Sequence, residues 1–426
     1  MYDWANSSYL LVITSTIFPI YYNGVTEAAF GGEVVDFFGL DIVNTVLYSY
    51  SVSVAFLVVA VFSPLLSGIA DYGGRRKLFL KLFTYLGSAS TLSLFWFTGS
   101  NVEYGIIFSI LAGIGYSGSL VFYNAFLPEI TSKDKYDALS ARGYAYGYIG
   151  SVILLLISFV IIETHHLIGI ESKSNAVRIS FLMVGLWWFG FAQYSFAILP
   201  KGNAAKHSND HLVLKGFKEI RKVFQQLQSM KTAKVYLLSF FFYSCGVQTV
   251  MHLAAIFGEK ELQLGATKLI VTITILQLVA IGGAYLFAQV SKKYNNGISI
   301  LVMLFIWLGA CYFAYLVQTE YQFYALAVIV GVIMGGIQSI SRSTFSKLIP
   351  QNSLDNTSFF SFYDVVEKLS IVLGTFSFGF IEYMTGSMRN STLALMLFFV
   401  VGIVILLISG ATKNSAYSLT DESAQA

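Results

Sequence analysis

Apolar residues run along this chain in long blocks without period-two alternation, separated by short stretches of Gly, Pro or charge. A bilayer hydrocarbon core of about 30 Å needs about 20 helical residues to cross it. Twelve blocks reach that length, at 5–23, 44–69, 78–98, 104–127, 141–163, 177–199, 234–257, 268–290, 298–318, 321–343, 359–384 and 391–411. Runs of Leu and β-branched residues that do not alternate predict helices rather than the strands of a porin-type barrel. The first block is expected to stay as a span, because no basic stretch precedes it and no small-residue cleavage site follows Pro19. The pattern therefore predicts an all-α membrane protein with twelve transmembrane helices.

Composition narrows the function classes. Of 426 residues, 56% are apolar and 12% charged. A soluble domain carries about 25% charge, so this chain has too little to cover a surface facing water. That excludes a cytosolic enzyme, a nucleic-acid-binding protein and a disulfide-built secreted domain. The two cysteines, Cys245 and Cys311, sit in apolar runs and read as small buried residues. No zinc-type spacing and no phosphate-binding G-x-x-x-x-G-K-[ST] loop occurs, so neither a metal nor another cofactor is expected.

The distribution of charge says more than its net value of +3. Of 26 Lys and Arg, 20 are assigned to one side of the membrane in loops and span ends, 5 to the other, and Lys368 lies inside a span. Basic loops stay cytoplasmic, so both termini are expected there, with a plasma or bacterial inner membrane as the location. The polar stretch between spans six and seven contains Phe217, Ile220, Phe224 and Leu227 at helical spacing, with Lys218, Arg221 and Lys222 on the other face. This predicts an amphipathic helix, lying on the inner leaflet or packed on the protein. The expected organisation is a six-helix half at 1–200, a linker at 201–233, a second half at 234–412 and a tail at 413–426.

Local motifs suggest a repeat. Spans four and ten end at Pro128 and Pro350, and aligning the prolines sets Gly113 opposite Gly335. The loop between spans two and three contains Gly68, Asp71, Gly74, Arg75 and Arg76. It resembles the major facilitator loop signature G-x-x-x-D-[RK]-x-G-R-R, except that Ser67 stands one place before the Gly and Tyr72 replaces a basic residue. The glycines permit a tight turn, and the arginines hold the loop at an anionic leaflet. The Asp71 carboxylate can face the positive N-terminus of a neighbouring helix. By resemblance that helix is the eleventh, and the contact would latch the cytoplasmic side. An ordinary turn with one counter-ion is the plainer alternative.

The stretches Tyr2–Ser7, Gly68–Asp71, Tyr123–Pro128, Gly246–Thr249 and Gly335–Ser343 are similar to those of the unknown major facilitator family, related to fungal autophagy-related vacuolar amino-acid effluxers. The resemblance covers nearly the whole chain. It implies two parallel six-helix halves, alternating access and a neutral amino acid as substrate. Cys245 stands where many relatives carry an Asp, so a coupling role there does not carry over.

Polar residues inside the spans are costly and therefore informative. In the major facilitator arrangement spans one, four, seven and ten line the cavity, and these offer Asn6, Tyr123, Asn124, Gln248, His252, Gln338 and Arg342 as substrate-binding candidates. Arg342 would neutralise a carboxylate, while Asp3 or an amide would meet an ammonium. Asp3, with Asp364, Glu367 and Lys368 of span eleven, joins Gly68, Asp71, Gly74, Arg75 and Arg76 as gating and coupling candidates. Asp364 and Lys368 are four apart and can pair, which leaves Glu367 over for a proton. Each has a structural alternative: an N-cap for Asp3, interhelical hydrogen bonds for the amides and His252, a snorkelling anchor for Arg342, and a packing salt bridge for the span-eleven cluster.

A secondary transporter of a small organic solute, working as a monomer in the bilayer with protons as the candidate coupling ion, leads. Transporters of sugars, peptides, nucleosides or drugs remain open on the same fold. A polytopic enzyme is disfavoured, since no H-E-x-x-H, paired-Asp or G-x-S-x-G constellation occurs.

Overall fold

The structure, a computed structural model, describes residues 1–200, 212–350 and 353–408. Lys201, Lys206, Lys413 and the 413–426 tail lie outside the described residues. The described chain forms α1 (2–30), a hairpin of β1 (Val34–Phe37) and β2 (Leu40–Val43), α2 (Asn44–Tyr72), α3 (Arg76–Ser93), α4 (Val102–Asn124), α5 (Tyr136–Glu163) and α6 (Lys173–Ile198). After these come α7 (Leu212–Ser229), α8 (Lys231–Leu262), α9 (Ala266–Lys293), α10 (Asn296–Leu316), α11 (Glu320–Leu348), α12 (Asn356–Thr385) and α13 (Met388–Ile408). Each of the twelve apolar blocks is thus one long helix, with α7 as the additional helix between the sixth and seventh. A bilayer forces this outcome, because only a helix satisfies its own backbone in hydrocarbon.

Among the described residues, ten of these helices are long and apolar enough to cross a membrane without qualification. The other two depart for visible reasons. α12 carries Asp364, Glu367 and Lys368 within three turns. α1 is interrupted by a π-helical stretch over Tyr9–Ile17. Pro19 follows directly, and its ring and missing N–H prevent a regular helical bond one turn earlier. The Tyr48 hydroxyl donates to the Thr14 carbonyl inside the widened stretch at 2.9 Å. The hairpin is a feature the apolar pattern did not mark. It turns through Phe38 and Gly39, both at positive φ (53° and 82°), the geometry of a type I′ turn.

The chain divides into two compact units. The first gathers Met1–Ser63, Gly73–Tyr123 and the described residues of Tyr146–His207. The second gathers Pro64–Tyr72, Asn124–Ala145 and the described residues from Ser208 onward. The last turns of α2 and the first turns of α5 therefore pack with α7 to α13.

Small residues set close helix crossings within each unit. A methyl group on Gly113 of α4 would lie 2.8 Å from Ala55 Cβ of α2, and one on Gly335 of α11 would overlap the Ala280 carbonyl of α9. The aligned glycines thus make the corresponding contact, the fourth span on the second and the tenth on the eighth.

α7 packs on the protein through a face slightly rotated from the expected one. Gly216, Val223 and Leu227 are buried and Ile220 is half-buried, whereas Phe217 (57%) and Phe224 (46%) are exposed. A side chain on Gly68 of α2 would strike the Gly216 carbonyl and Ile220, so Gly68 serves close approach. The tight turn of that loop belongs to Gly74, at φ +61°. Lys222 of α7 lies 2.8 Å from Asp355, at the start of α12, and 2.7 Å from Glu219. Partial burial lowers the pKa of the Lys222 ammonium, but the two carboxylates outweigh it and hold the group at about 12.

Candidate functional site

Polar assemblies collect the candidate residues, one in the first unit and the others in the second. In the first unit Asp3 is buried at 4% exposure and accepts a hydrogen bond from the Tyr123 hydroxyl. Tyr2 lies against the Tyr123 ring at 4.7 Å, and its hydroxyl shares a 2.7 Å bond with Thr84. The helix N-cap is Met1, so Asp3 does not cap α1. One turn on, Asn6 is buried, and its Nδ2 has no hydrogen-bond partner among the described residues.

In the second unit Arg342 of α11 is 4% exposed and bonded on three sides. Its Nε donates to Ser140 Oγ at 3.0 Å, one terminal nitrogen to the Ser140 carbonyl at 3.0 Å, and the other to Asn124 Oδ1 at 3.2 Å. The guanidinium also lies 4.3 Å from the centre of the Tyr144 ring. Arg342 is therefore held inside the protein rather than reaching out to the interface as a snorkelling anchor. Gln338 donates to the Met251 sulfur of α8 at 3.2 Å.

The loop carboxylate Asp71 accepts from the Ser358 backbone N–H at 2.7 Å and from the Ser358 hydroxyl at 2.8 Å. Ser358 lies in the first turn of α12, so Asp71 occupies the positive end of that helix, the eleventh span. Arg76 is buried, Arg75 is exposed, and Gly74 makes the turn that precedes them.

A counterpart contact escaped the motif search. Asp137, at the start of α5, receives Lys347 Nζ at 2.6 Å, the Ser291 hydroxyl at 2.8 Å and Asn296 Nδ2 at 3.0 Å. Lys347 also donates to Asn296 Oδ1 at 2.8 Å. Ser291 and Asn296 flank the loop between α9 and α10, the second-half equivalent of the Asp71 loop. Here the carboxylate belongs to the helix start and two of its donors flank the loop, the reverse of the first arrangement, while Lys347 comes from the end of α11.

A further assembly sits on α12. Lys368 Nζ lies 3.2 Å from Asp364 Oδ1 and 3.7 Å from Glu367 Oε2. Gln248 Nε2 of α8 donates to Glu367 Oε1 at 2.7 Å. His252 is half-buried, one turn beyond Gln248. The residues that sequence reasoning missed are Ser140, Tyr144, Asp137, Ser291, Asn296, Lys347 and Ser358. All are polar groups at helix ends or singly in spans, and apart from Asp137 only tertiary contacts distinguish them from ordinary packing.

Comparison with known proteins agrees with this architecture. The family described as "Vacuole effluxer Atg22 like" matches residues 1–416. An uncharacterized MFS-type transporter, YxiO of Bacillus subtilis, is 30% identical over 408 residues, covering 95% of this chain and 92% of that protein. Autophagy-related protein 22-1 of Penicillium rubens is 24% identical, covering 95% and 82% respectively. Among solved structures, the proton:xylose symporter XylE superposes with a TM-score of 0.70 at 12% identity, covering 96% of this chain and 93% of that one. The E. coli fucose:proton symporter FucP gives 0.65 at 13% identity, covering 96% and 98%. The structural likenesses establish the major facilitator fold, and the relatives are transporters rather than enzymes. On the strength of a match that runs through nearly its whole length, the chain belongs to the vacuole effluxer Atg22-like family of major facilitator membrane transporters.

Proposed function

We propose that the chain is a secondary transporter of neutral amino acids that works by alternating access as a monomer in the bilayer, with the proton as coupling ion. The observation that carries the mechanism is the chemistry joining 64–72 and 124–145 to the C-terminal helices. Asp71 on Ser358, Asp137 on Lys347, and Arg342 on Ser140 and Asn124 are polar contacts at helix ends. Such contacts can exchange for water when they part, which dry apolar packing cannot do as cheaply.

The amino-acid reading comes from the family resemblance and from the groups available to a zwitterion. Asn6 offers a buried, unpartnered amide N–H to a carboxylate or carbonyl. Arg342 is engaged within the protein, which favours a clasp over the carboxylate-binding role that its position in span ten suggested.

The test is a thermal-shift screen of the purified protein against amino acids, sugars, peptides and nucleosides, followed by counterflow with each hit. Stabilisation and exchange by bulky neutral amino acids are expected. Exchange by a sugar or nucleoside alone would move the substrate to that class and leave the transport reading standing. Loss of exchange with every solute would remove it.

The basic end of the bundle is proposed to face the cytoplasm of a plasma membrane. Lys218 is exposed on α7, and the two native cysteines are buried. A Lys218→Cys variant is expected to react with an impermeant maleimide in inside-out vesicles and to stay unlabelled in intact cells. The opposite pattern inverts the topology.

A further inference from the structure

The α12 cluster sets one ammonium against two carboxylates, and the two are unequally served. Glu367 has the Gln248 amide on one oxygen and Lys368 near the other, and its side chain is 25% exposed. Asp364 is 4% exposed; Lys368 reaches Oδ1, while Oδ2 is buried with no hydrogen-bond partner among the described residues. If both carboxyls were ionised, the cluster would hold an uncompensated negative charge, which is costly where it is buried. A neutral carboxyl whose hydroxyl lacks an acceptor costs less than an unpaired buried charge. The cheaper arrangement keeps one proton, on the oxygen that nothing else satisfies.

Among the described residues, the other charges near α12 do not alter this balance. On α8, Gln248 is neutral, His252 stands within electrostatic reach of Lys368, and the phenols of Tyr236 and Tyr243 are buried beside Tyr363. From α7, Lys222 pairs with Asp355. On α13, Arg389 is the charged residue, and it pairs with Glu261 at 3.0 Å. Arg342 is held by Ser140 and Asn124. A metal cation is disfavoured, because Lys368 already occupies the position between the two carboxylates.

We propose that Asp364 is the exchangeable proton site of this protein, loaded at Oδ2 in the present conformation, while Glu367 is held between Gln248 and Lys368. This reverses the roles read from sequence, where Asp364 was paired and Glu367 left over. The step is a proton transfer alone: Asp364 releases H⁺ to water when the surrounding helices part, and takes one up again on return. The part it plays in coupling rests on the transport reading, but its occupancy by a proton does not.

Infrared difference spectroscopy of the purified full chain, titrated with acid and base, tests occupancy directly. The carbonyl-stretch band of a buried protonated carboxyl is expected in the native protein. It should vanish in Asp364→Asn and persist in Glu367→Gln and His252→Gln. Asp364→Asn leaves Lys368 paired with Glu367 and should fold. Aspartate labelled with ¹³C at its side-chain carboxyl, in the native protein, assigns the band to Asp or Glu without any substitution. A band that survives Asp364→Asn, or fails to shift with labelled aspartate, overturns the proposal. In proteoliposomes, Asp364→Asn is expected to keep leucine counterflow while leucine accumulation driven by a pH gradient falls to its no-gradient level. Undiminished accumulation overturns the coupling role. Leucine inactivity in native and variant protein alike, with the band assigned to Asp364, would fault the substrate reading and leave the proton site intact.

Discussion

Asp137→Ala is expected to destabilise the purified protein by about 3–5 kcal/mol, the usual cost of removing one partner of a buried ion pair. The side chains of Asp137 and Lys347 are only 8% and 16% exposed, so water screens this pair little. The loss strands the Lys347 ammonium and also removes the acceptor for Ser291 and Asn296. Removing the lysine as well, in Asp137→Ala/Lys347→Met, should recover much of the loss, because no charge is then left unpaired. The thermal melt of the two variants measures this difference. If Asp137→Ala melts with the native protein, the contact is ornamental. The functional consequence follows from the same energy. If the contact holds this end closed, losing about 3 kcal/mol shifts the balance of conformations roughly a hundredfold, since about 1.4 kcal/mol is a factor of ten. A single cysteine introduced among the 124–145 contacts should then react much faster with a soluble thiol reagent in the variant. The two native cysteines are buried and contribute little background.

The helices were legible because lipid leaves the chain no alternative, whereas their ends were not. α8 runs from Lys231 to Leu262, several residues beyond the apolar run on each side, since a helix continues through polar sequence wherever neighbours or water accept it. The π-helical stretch at Tyr9–Ile17 had one signal, Pro19, but a proline in a span more often only kinks it. The hairpin at Val34–Val43 is too short to show a period.

For the site, the Asp71 loop carried a motif whose family resemblance implied the start of α12 as its partner, and Ser358 lies there. Asp137 was reachable by a further step that uses the repeat. If the loop after the second span meets the eleventh, the loop after the eighth should meet the fifth, and Asp137 opens the fifth. The identity of Arg342's partners was out of reach, because Ser140 and Tyr144 are common residues whose meaning depends on which side chain arrives opposite them.

Arg342→Lys should cost most of the transport rate while leaving the substrate concentration for half-maximal exchange nearly unchanged. The guanidinium uses three N–H groups in fixed directions, toward Ser140 Oγ, the Ser140 carbonyl and Asn124 Oδ1, and stacks on Tyr144. A lysine ammonium is a compact point charge that cannot reach all three acceptors and keep a planar face to the ring. Losing one or two hydrogen bonds to a charged group, each worth about 1.5–3 kcal/mol, predicts a tenfold or greater fall in counterflow. Asn124→Ala, which removes a single acceptor, should fall between the two. The split between rate and half-saturation separates the roles the residue has been given. A clasp acts on the conformational step and changes the rate, whereas a group that binds substrate carboxylate changes half-saturation and abolishes stabilisation by the substrate. If Arg342→Lys keeps its rate at saturating leucine but needs far more leucine to reach it, the guanidinium binds the substrate, and the network around Ser140 is only its resting place.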